Sequence, residues 1–306
     1  CLLRAGYLCY AGAFLSVTRR YPLGTNVFDR DWDALVVLDA CRVDALRAVA
    51  SEYDFLEDIG AITSVGSMTP EWMSQTFTTD HLNDISRTGY VVGNGFIERV
   101  LDENGHTGPD ALPVGPKQYD VVDRVSFGHL EPLWNASFES ASEWMAGEGS
   151  GERLHPRYVT ERAIHAGRTA DVDRLIVHYN YPHEPYPLAP ERLVRPFEAL
   201  SSGAATRDEV WEAYLENLRF VLDDIEVLLD NIDAEKVVIT ADHGEAFGEY
   251  GFYQHLIGCP VPCVRRVPWV ETQAEDTGER TVTAPDPLSV SESKSMKKHM
   301  QDLGYL

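Results

Sequence analysis

Four short runs of unbroken apolar residues limit what this chain can fold into: Leu35 to Leu38, Tyr90 to Val92, Leu175 to Val177 and Val237 to Ile239. A strand with one wet face alternates apolar and polar residues, whereas a continuous run is the pattern of a strand covered on both faces. Helical periodicity fills the intervals. Val43 to Val49 follows the first run, and apolar residues from Trp211 to Ile232 recur at three- and four-residue steps before the last. One more strand is expected over Val264 to Val270. Strands alternating with helices define an α/β fold: a mainly parallel central sheet with helices on both faces.

With 306 residues the chain can bury a large core. Residues 1–30 are expected to form an N-terminal helical segment, and 31–306 one domain, because no repeat or linker divides them. Residues 102–155 are rich in Gly, Pro and acidic side chains and read as an irregular insertion, in which His106, His129 and His155 are expected to be structural or solvated.

Charge narrows the function classes. Lys plus Arg number 26 against 49 for Asp plus Glu, a net charge of -23, with few lysines. Such a surface disfavours nucleic acid as a partner. It suits a halophilic, salt-loaded cytoplasm, where ionic strength screens the repulsion. No apolar span of membrane length and no signal peptide is visible, so the expectation is a soluble, cytoplasmic protein; a missing or amphipathic N-terminus is the remaining route to membrane association. The five cysteines form no paired framework, and no phosphate-binding glycine loop of the nucleotide type occurs.

In a parallel sheet, active sites gather beyond the carboxyl ends of the strands. Asp39, His178, Asp242 and His243 directly follow apolar runs, and His183 lies on a loop just beyond one, between Pro182 and Pro185. Carboxylates and imidazoles together suit a divalent metal. Thr69, Pro70 and Glu71 are a helix-start signal, with Thr69 as the capping hydroxyl. A hydroxyl at a helix N-terminus also suits anion chemistry. Asp39, by the same local logic, can be read as a helix cap.

The stretch AspHisGlyGluAlaPheGlyGluTyrGlyPheTyrGlnHis at 242–255 resembles the metal-binding signature of the alkaline phosphatase/sulfatase superfamily, above all that of the lipid A phosphoethanolamine transferases. His178 with His183 to Tyr186 resembles their central His segment. LeuAspAlaCysArg at 38–42 resembles the first-strand ligand, and Thr69 with Phe77 the nucleophile loop. The likeness extends to the sulfatase-like proteins of halophilic archaea.

This resemblance implies a three-layer alkaline phosphatase-like sandwich and a hydrolase or transferase acting on phosphate or sulfate esters through a covalent intermediate. It implies that Asp39, Thr69, Asp242 and His243 hold one divalent ion, Zn, Mn or Ca, with Thr69 as nucleophile. His183 and His255 would contact the transferred group or the leaving oxygen, and His178 and Arg42 the substrate. The partner implied is an ester-bearing glycan or lipid-linked glycan. Ser67 competes with Thr69 for the nucleophile's place. The loop SerMetThrProGluTrp lacks the formylglycine motif of sulfatases proper, and Tyr179 stands where two-metal members carry Asp. Those departures support a second possibility, a catalytically inactive protein of this fold that binds a sulfated or phosphorylated glycan. Glu245 and Glu249 are expected to be supporting or capping residues.

Overall fold

A computed structural model describes residues 2–102, 112–116, 119–136, 143–147 and 152–287. His106 and the C-terminal segment from 288 onward lie outside them. Helices in chain order are α1 (Leu2–Thr18), α2 (Val43–Val49), α3 (Thr69–Thr76), α4 (Leu82–Ile85), α5 (Phe96–Asp102), α6 (Pro156–Thr169), α7 (Pro196–Ser202), α8 (Arg207–Leu229) and α9 (Pro262–Arg265). The strands are β1 (Ala34–Asp39), β2 (Gly60–Thr63), β3 (Thr88–Val92), β4 (His129–Pro132), β5 (Met145–Ala146), β6 (Arg153–Leu154), β7 (Arg174–Pro182), β8 (Ala234–Ala241), β9 (Ala246–Phe247), β10 (Tyr253–Gln254) and β11 (Arg266–Ala274).

Among the described residues, seven strands form one sheet in the order β2-β11-β8-β1-β7-β3-β4. Its centre, β8-β1-β7-β3-β4, is parallel, and β11 runs antiparallel between β8 and β2. The sheet is therefore mixed and mostly parallel, with helices around it. Every residue of β1 and β3 is buried, as their unbroken apolar runs require. On α8, Val210, Tyr214, Leu218, Val221, Ile225 and Leu228 are all buried at helical spacing. That helix starts four residues before its first expected apolar position, because Thr206 and Glu209 form a capping box.

Two local expectations change. The backbone of Met68 is extended and occupies the cap position, so Thr69 is the first residue of α3 and caps nothing. Its hydroxyl is left for tertiary contacts. Asp39 ends β1, and α2 begins after Arg42 with no side-chain cap, so Asp39 is not a helix cap either. In the 102–155 stretch, β4 pairs with β3 and widens the sheet by one strand. No alternation marks it in the sequence, since HisLeuGluPro is too short and too mixed.

Before β1, α1 packs Ala11 and Leu15 on Met68 and Ile257, and the Tyr7 hydroxyl donates to the Ile257 carbonyl at 2.9 Å. This helix therefore touches both the residue before Thr69 and the loop after His255. No helix among the described residues is long and apolar enough to cross a membrane.

Candidate active site

Strand register brings the site together. Leu38 lies level with Ala241 of β8 and Tyr179 of β7, so Asp39 and Asp242 emerge side by side at the carboxyl edge. Beyond Leu38 the chain turns sharply at Ala40, whose φ is +63. Tyr214 of α8 holds that turn: its hydroxyl donates to the Ala40 carbonyl at 2.7 Å and accepts from the Arg42 N–H at 3.0 Å. The Ala40 N–H in turn donates to Asp242 Oδ1 at 3.2 Å.

Thr69 reaches the same point from the other side. Its Oγ1 lies 3.4 Å from His243 Nε2, and the hydroxyl also bonds to the Asp242 carboxylate. The loop before α3 is tight enough that a Cβ at Gly66 would sit 2.4 Å from the Trp72 nitrogen. Asp39 Oδ1 and Asp242 Oδ2 each stand 3.5 Å from His243 Nε2. His243 Nδ1 faces the Gly244 carbonyl at 2.9 Å. A carbonyl cannot donate, so Nδ1 carries the hydrogen and Nε2 presents its lone pair to the two carboxylates.

That arrangement is repulsive unless a metal cation or a proton joins it. Asp39 Oδ1, Asp242 Oδ2 and the nearby His178 Nε2 are buried without a hydrogen-bond partner. Burial first, and then the neighbouring Asp242, push Asp39 up to about 8; burial pushes Asp242 up to about 7. Burial, then His255, pulls His243 down to about 4. Two carboxylate oxygens, an imidazole nitrogen and a hydroxyl fit a divalent cation of the Zn or Mn kind. The ligand atoms of Asp39, Asp242 and His243 lie within 4.8 Å of one another.

A second buried group adjoins the first. Ligand atoms of His183, Glu245 and His255 also lie within 4.8 Å of one another, and the His255 ring sits 4.2 Å from that of His243 and 5.0 Å from that of His183. His255 Nδ1 meets the Glu245 carboxyl at 3.1 Å. Burial drives both toward neutral forms, Glu245 up to about 8 and His255 down to about 3. His183 Nδ1 bonds to the Glu184 carbonyl, and burial holds this imidazole well below its ordinary value.

His178 is fully buried. Its Nδ1 meets the Tyr90 hydroxyl at 2.8 Å and its Nε2 lies 3.7 Å from Asp242 Oδ2. The Arg42 guanidinium donates to Asp44, to Glu249 and to the Glu245 carbonyl, and lies over Trp211. It thus braces the 245–249 loop, with Glu249 as an anchor and Glu245 as a member of the cluster itself. Ser67 Oγ, with one hydrogen to give, lies 2.7 Å from the Glu71 carboxylate and 2.9 Å from the Leu256 carbonyl and accepts from Cys259 N–H, a network separate from the Thr69 contacts. Tyr179 points to the opposite side of β7, where its hydroxyl bonds to Thr160 of α6.

Three contributors carry no sequence signal. Asn94 donates to Asp39 Oδ2 at 2.9 Å, fixing which oxygen stays open. Arg153 donates to the carbonyls of Asn180, His183 and Pro185, clamping the loop that carries His183. Asn217, inside the apolar stripe of α8, donates to the carbonyls of Pro182 and His183. Only the interruption of that stripe by a buried amide could have marked it.

Comparison of the whole chain with solved structures matches this architecture. The soluble domain of lipooligosaccharide phosphoethanolamine transferase A from Neisseria meningitidis aligns at a TM-score of 0.50 and 16% identity, over 80% of this chain and 77% of that one. The two share a mostly parallel α/β fold. The periplasmic domain of a Campylobacter jejuni phosphoethanolamine transferase aligns at 0.45 and 15% identity, covering 78% of each chain. A 2-O glycosaminoglycan sulfatase aligns at 0.37 and 11%, over 80% of this chain and 65% of its own. No family model matches the chain, and no curated protein does. At these identities the likeness concerns the fold alone; the chemistry rests on the side chains.

Proposed function

We propose that this chain is a metal-dependent, sulfatase-like hydrolase or transferase of phosphate or sulfate esters, with Thr69 as nucleophile and a covalent Thr ester as intermediate. The observation that carries this is the meeting of the Thr69 hydroxyl with two unpartnered carboxylate oxygens and one imidazole lone pair. Asp39, Asp242, His243 and Thr69 would hold the ion, which when bound supplies positive charge and Lewis acidity. A free threonine hydroxyl is too weak an acid to attack unaided at neutral pH.

Thr69 Oγ1 forms the new bond to phosphorus or sulfur as the bond to the ester's leaving oxygen breaks. The hydroxyl proton departs along its hydrogen bond to Asp242. The Glu245–His255 pair, which burial keeps protonated on the acid and neutral on the ring, holds the proton that the leaving oxygen takes up. His183, whose carbonyl accepts from Arg153 and Asn217, would steady the transferred group. Water or a second alcohol then attacks the Thr ester and releases the enzyme. The substrate class is an ester-bearing glycan or lipid-linked glycan, like the lipooligosaccharide named for the Neisseria protein. The acidic surface suits a salt-rich cytoplasm.

The test uses aryl phosphate monoesters, diesters and sulfates with Zn²⁺ or Mn²⁺ in high salt, followed by acid quench and mass analysis of the protein. A phosphoryl or sulfuryl mass increment on the peptide containing Thr69 is expected. Undiminished turnover by Thr69→Ala refutes the proposal.

A further inference from the structure

Tyr90 opens the apolar run of β3 and reads in the sequence as one more core residue. Its hydroxyl, however, lies beside the site. In the parallel pairing of β3 with β7, Tyr90 is level with Ile176 and Val92 with His178. Alternate residues of a strand share a face, so Tyr90 and His178 stand on the same side of the sheet, one step apart along it. Both are fully buried there. The two rings stack with centroids 6.2 Å apart, and Trp72 of α3 meets the imidazole edge-on at 5.6 Å.

The polar contacts decide where the hydrogen of His178 sits. Nδ1 is 2.8 Å from the Tyr90 hydroxyl oxygen, and Nε2 faces Asp242 Oδ2 at 3.7 Å. Tyr90 has no other hydrogen-bond partner among the described residues, so the phenol can give its hydrogen only to Nδ1. That leaves the imidazole hydrogen on Nε2. The opposite tautomer would strand the buried Tyr90 hydrogen and set the Nε2 lone pair against a carboxylate oxygen. Asp242 Oδ1 is already engaged, because it accepts from the N–H groups of Ala40 and His243. Oδ2 is the open oxygen, and two imidazole nitrogens of opposite character face it. His243 presents a lone pair at 3.5 Å and His178 a hydrogen. Only His243 belongs to the group of ligand atoms, with Asp39 and Asp242, that converge within 4.8 Å.

We infer that Tyr90 is a positioning residue: its hydroxyl holds His178 in the Nε2–H form, which aims a hydrogen at Asp242 Oδ2 and keeps His178 from becoming a cation ligand. This rests on the cation site proposed above. The two histidines divide the work around one carboxylate oxygen, His243 as ligand and His178 as a neutral donor that orients the oxygen. The role of His178 is thus exerted through Asp242.

The experiment labels the histidines of the whole chain with ¹⁵N and records two-bond ¹H–¹⁵N correlations in chelator and with Zn²⁺, using His178→Gln for assignment. His178 is expected to carry one hydrogen, on Nε2, in both conditions, and His243 one hydrogen, on Nδ1. In Tyr90→Phe, which keeps the ring, the His178 Nδ1 resonance should move to that of a nitrogen without a hydrogen bond. Zn²⁺ affinity, measured by competition with a chromophoric chelator, should fall about tenfold. Adding Tyr90→Phe to His178→Ala should cost no further affinity, since Tyr90 acts through His178. A His178 hydrogen on Nδ1, hydrogens on both nitrogens, or loss of the Nε2 hydrogen when Zn²⁺ binds overturns the inference. Additive losses in the double variant do the same, and the wild-type spectra decide the matter even if His178→Ala fails to fold. Zn²⁺ bound with the expected tautomers but no ester turned over sinks the proposed chemistry and leaves this inference standing. Turnover with the wrong tautomer does the reverse, and a wild type that binds no Zn²⁺ overturns both.

Discussion

Asp39→Asn is the sharpest probe of the cation site, because its effect on stability should reverse with metal. In chelator the fold confines Asp39 and Asp242 around an imidazole lone pair with one oxygen of each unpartnered. Burial, aided by Asp242, raises Asp39 from 3.8 to about 8. An acid raised in this direction contributes fully below its unfolded pKa, near 4. It loses that contribution as pH climbs toward 8, since the unfolded chain then releases a proton that the folded chain retains. One proton corresponds to about 1.4 kcal/mol per pH unit, so the two units between pH 5 and 7 cost at most about 3 kcal/mol for this carboxylate. Asparagine does not titrate, and its amide can donate to Asp242. In chelator at pH 7 the variant should therefore be more stable than the wild type by about 1–2 kcal/mol, with a flatter dependence on pH. With Zn²⁺ or Mn²⁺ at a hundred times Kd, the wild type should gain about 2.7 kcal/mol and the variant much less. Urea unfolding from pH 5 to 8, read as midpoint shifts at constant m-value, measures both. A variant that is less stable in chelator at pH 7, with the wild-type slope, refutes the idea that these carboxylates await a cation.

Tyr214→Phe removes the hydroxyl that bridges the Ala40 carbonyl and the Arg42 N–H, leaving both buried groups short of a partner. A loss of about 1–3 kcal/mol in urea unfolding is expected, together with weaker metal binding through a looser Asp39 turn. A change below about 0.5 kcal/mol contradicts that role for the bridge. His155 accepts from the Arg157 N–H at the start of α6, and burial, with the Arg157 charge, lowers it to about 4. Its contribution is complete above pH 6.5 and disappears as pH falls toward 4. His155→Asn keeps a capping acceptor without the titration, so the variant should lose less stability than the wild type across that window; parallel melting curves would exclude the effect.

Much of the site was legible because its carriers are local. Asp39, His178 and Asp242 follow apolar runs that can only be strands buried on both faces, so their place at the carboxyl edge follows from the fold class. Thr69 was legible as a helix-start residue, but its local cap role was wrong: Met68 takes the cap position, and the hydroxyl turns to Asp242 and His243. Ser67, two residues earlier, is the competing hydroxyl in sequence, and its contacts are instead with Glu71 and Leu256.

What only the tertiary structure decided are contacts between residues far apart in the chain. Tyr214 reads as one more apolar position on α8 until it meets Ala40, and Asn94 as a loop residue until it meets Asp39. Arg153 sits in a stretch without periodicity and acquires its role only where three carbonyls of the His183 loop converge on it. The pairing of Glu245 with His255 likewise needs the β9–β10 hairpin to fold the 242–255 stretch back on itself. Hydrophobic periodicity is written residue by residue and can be read in one dimension. Hydrogen-bond partners and desolvation depend on which elements share a layer, and packing alone sets that.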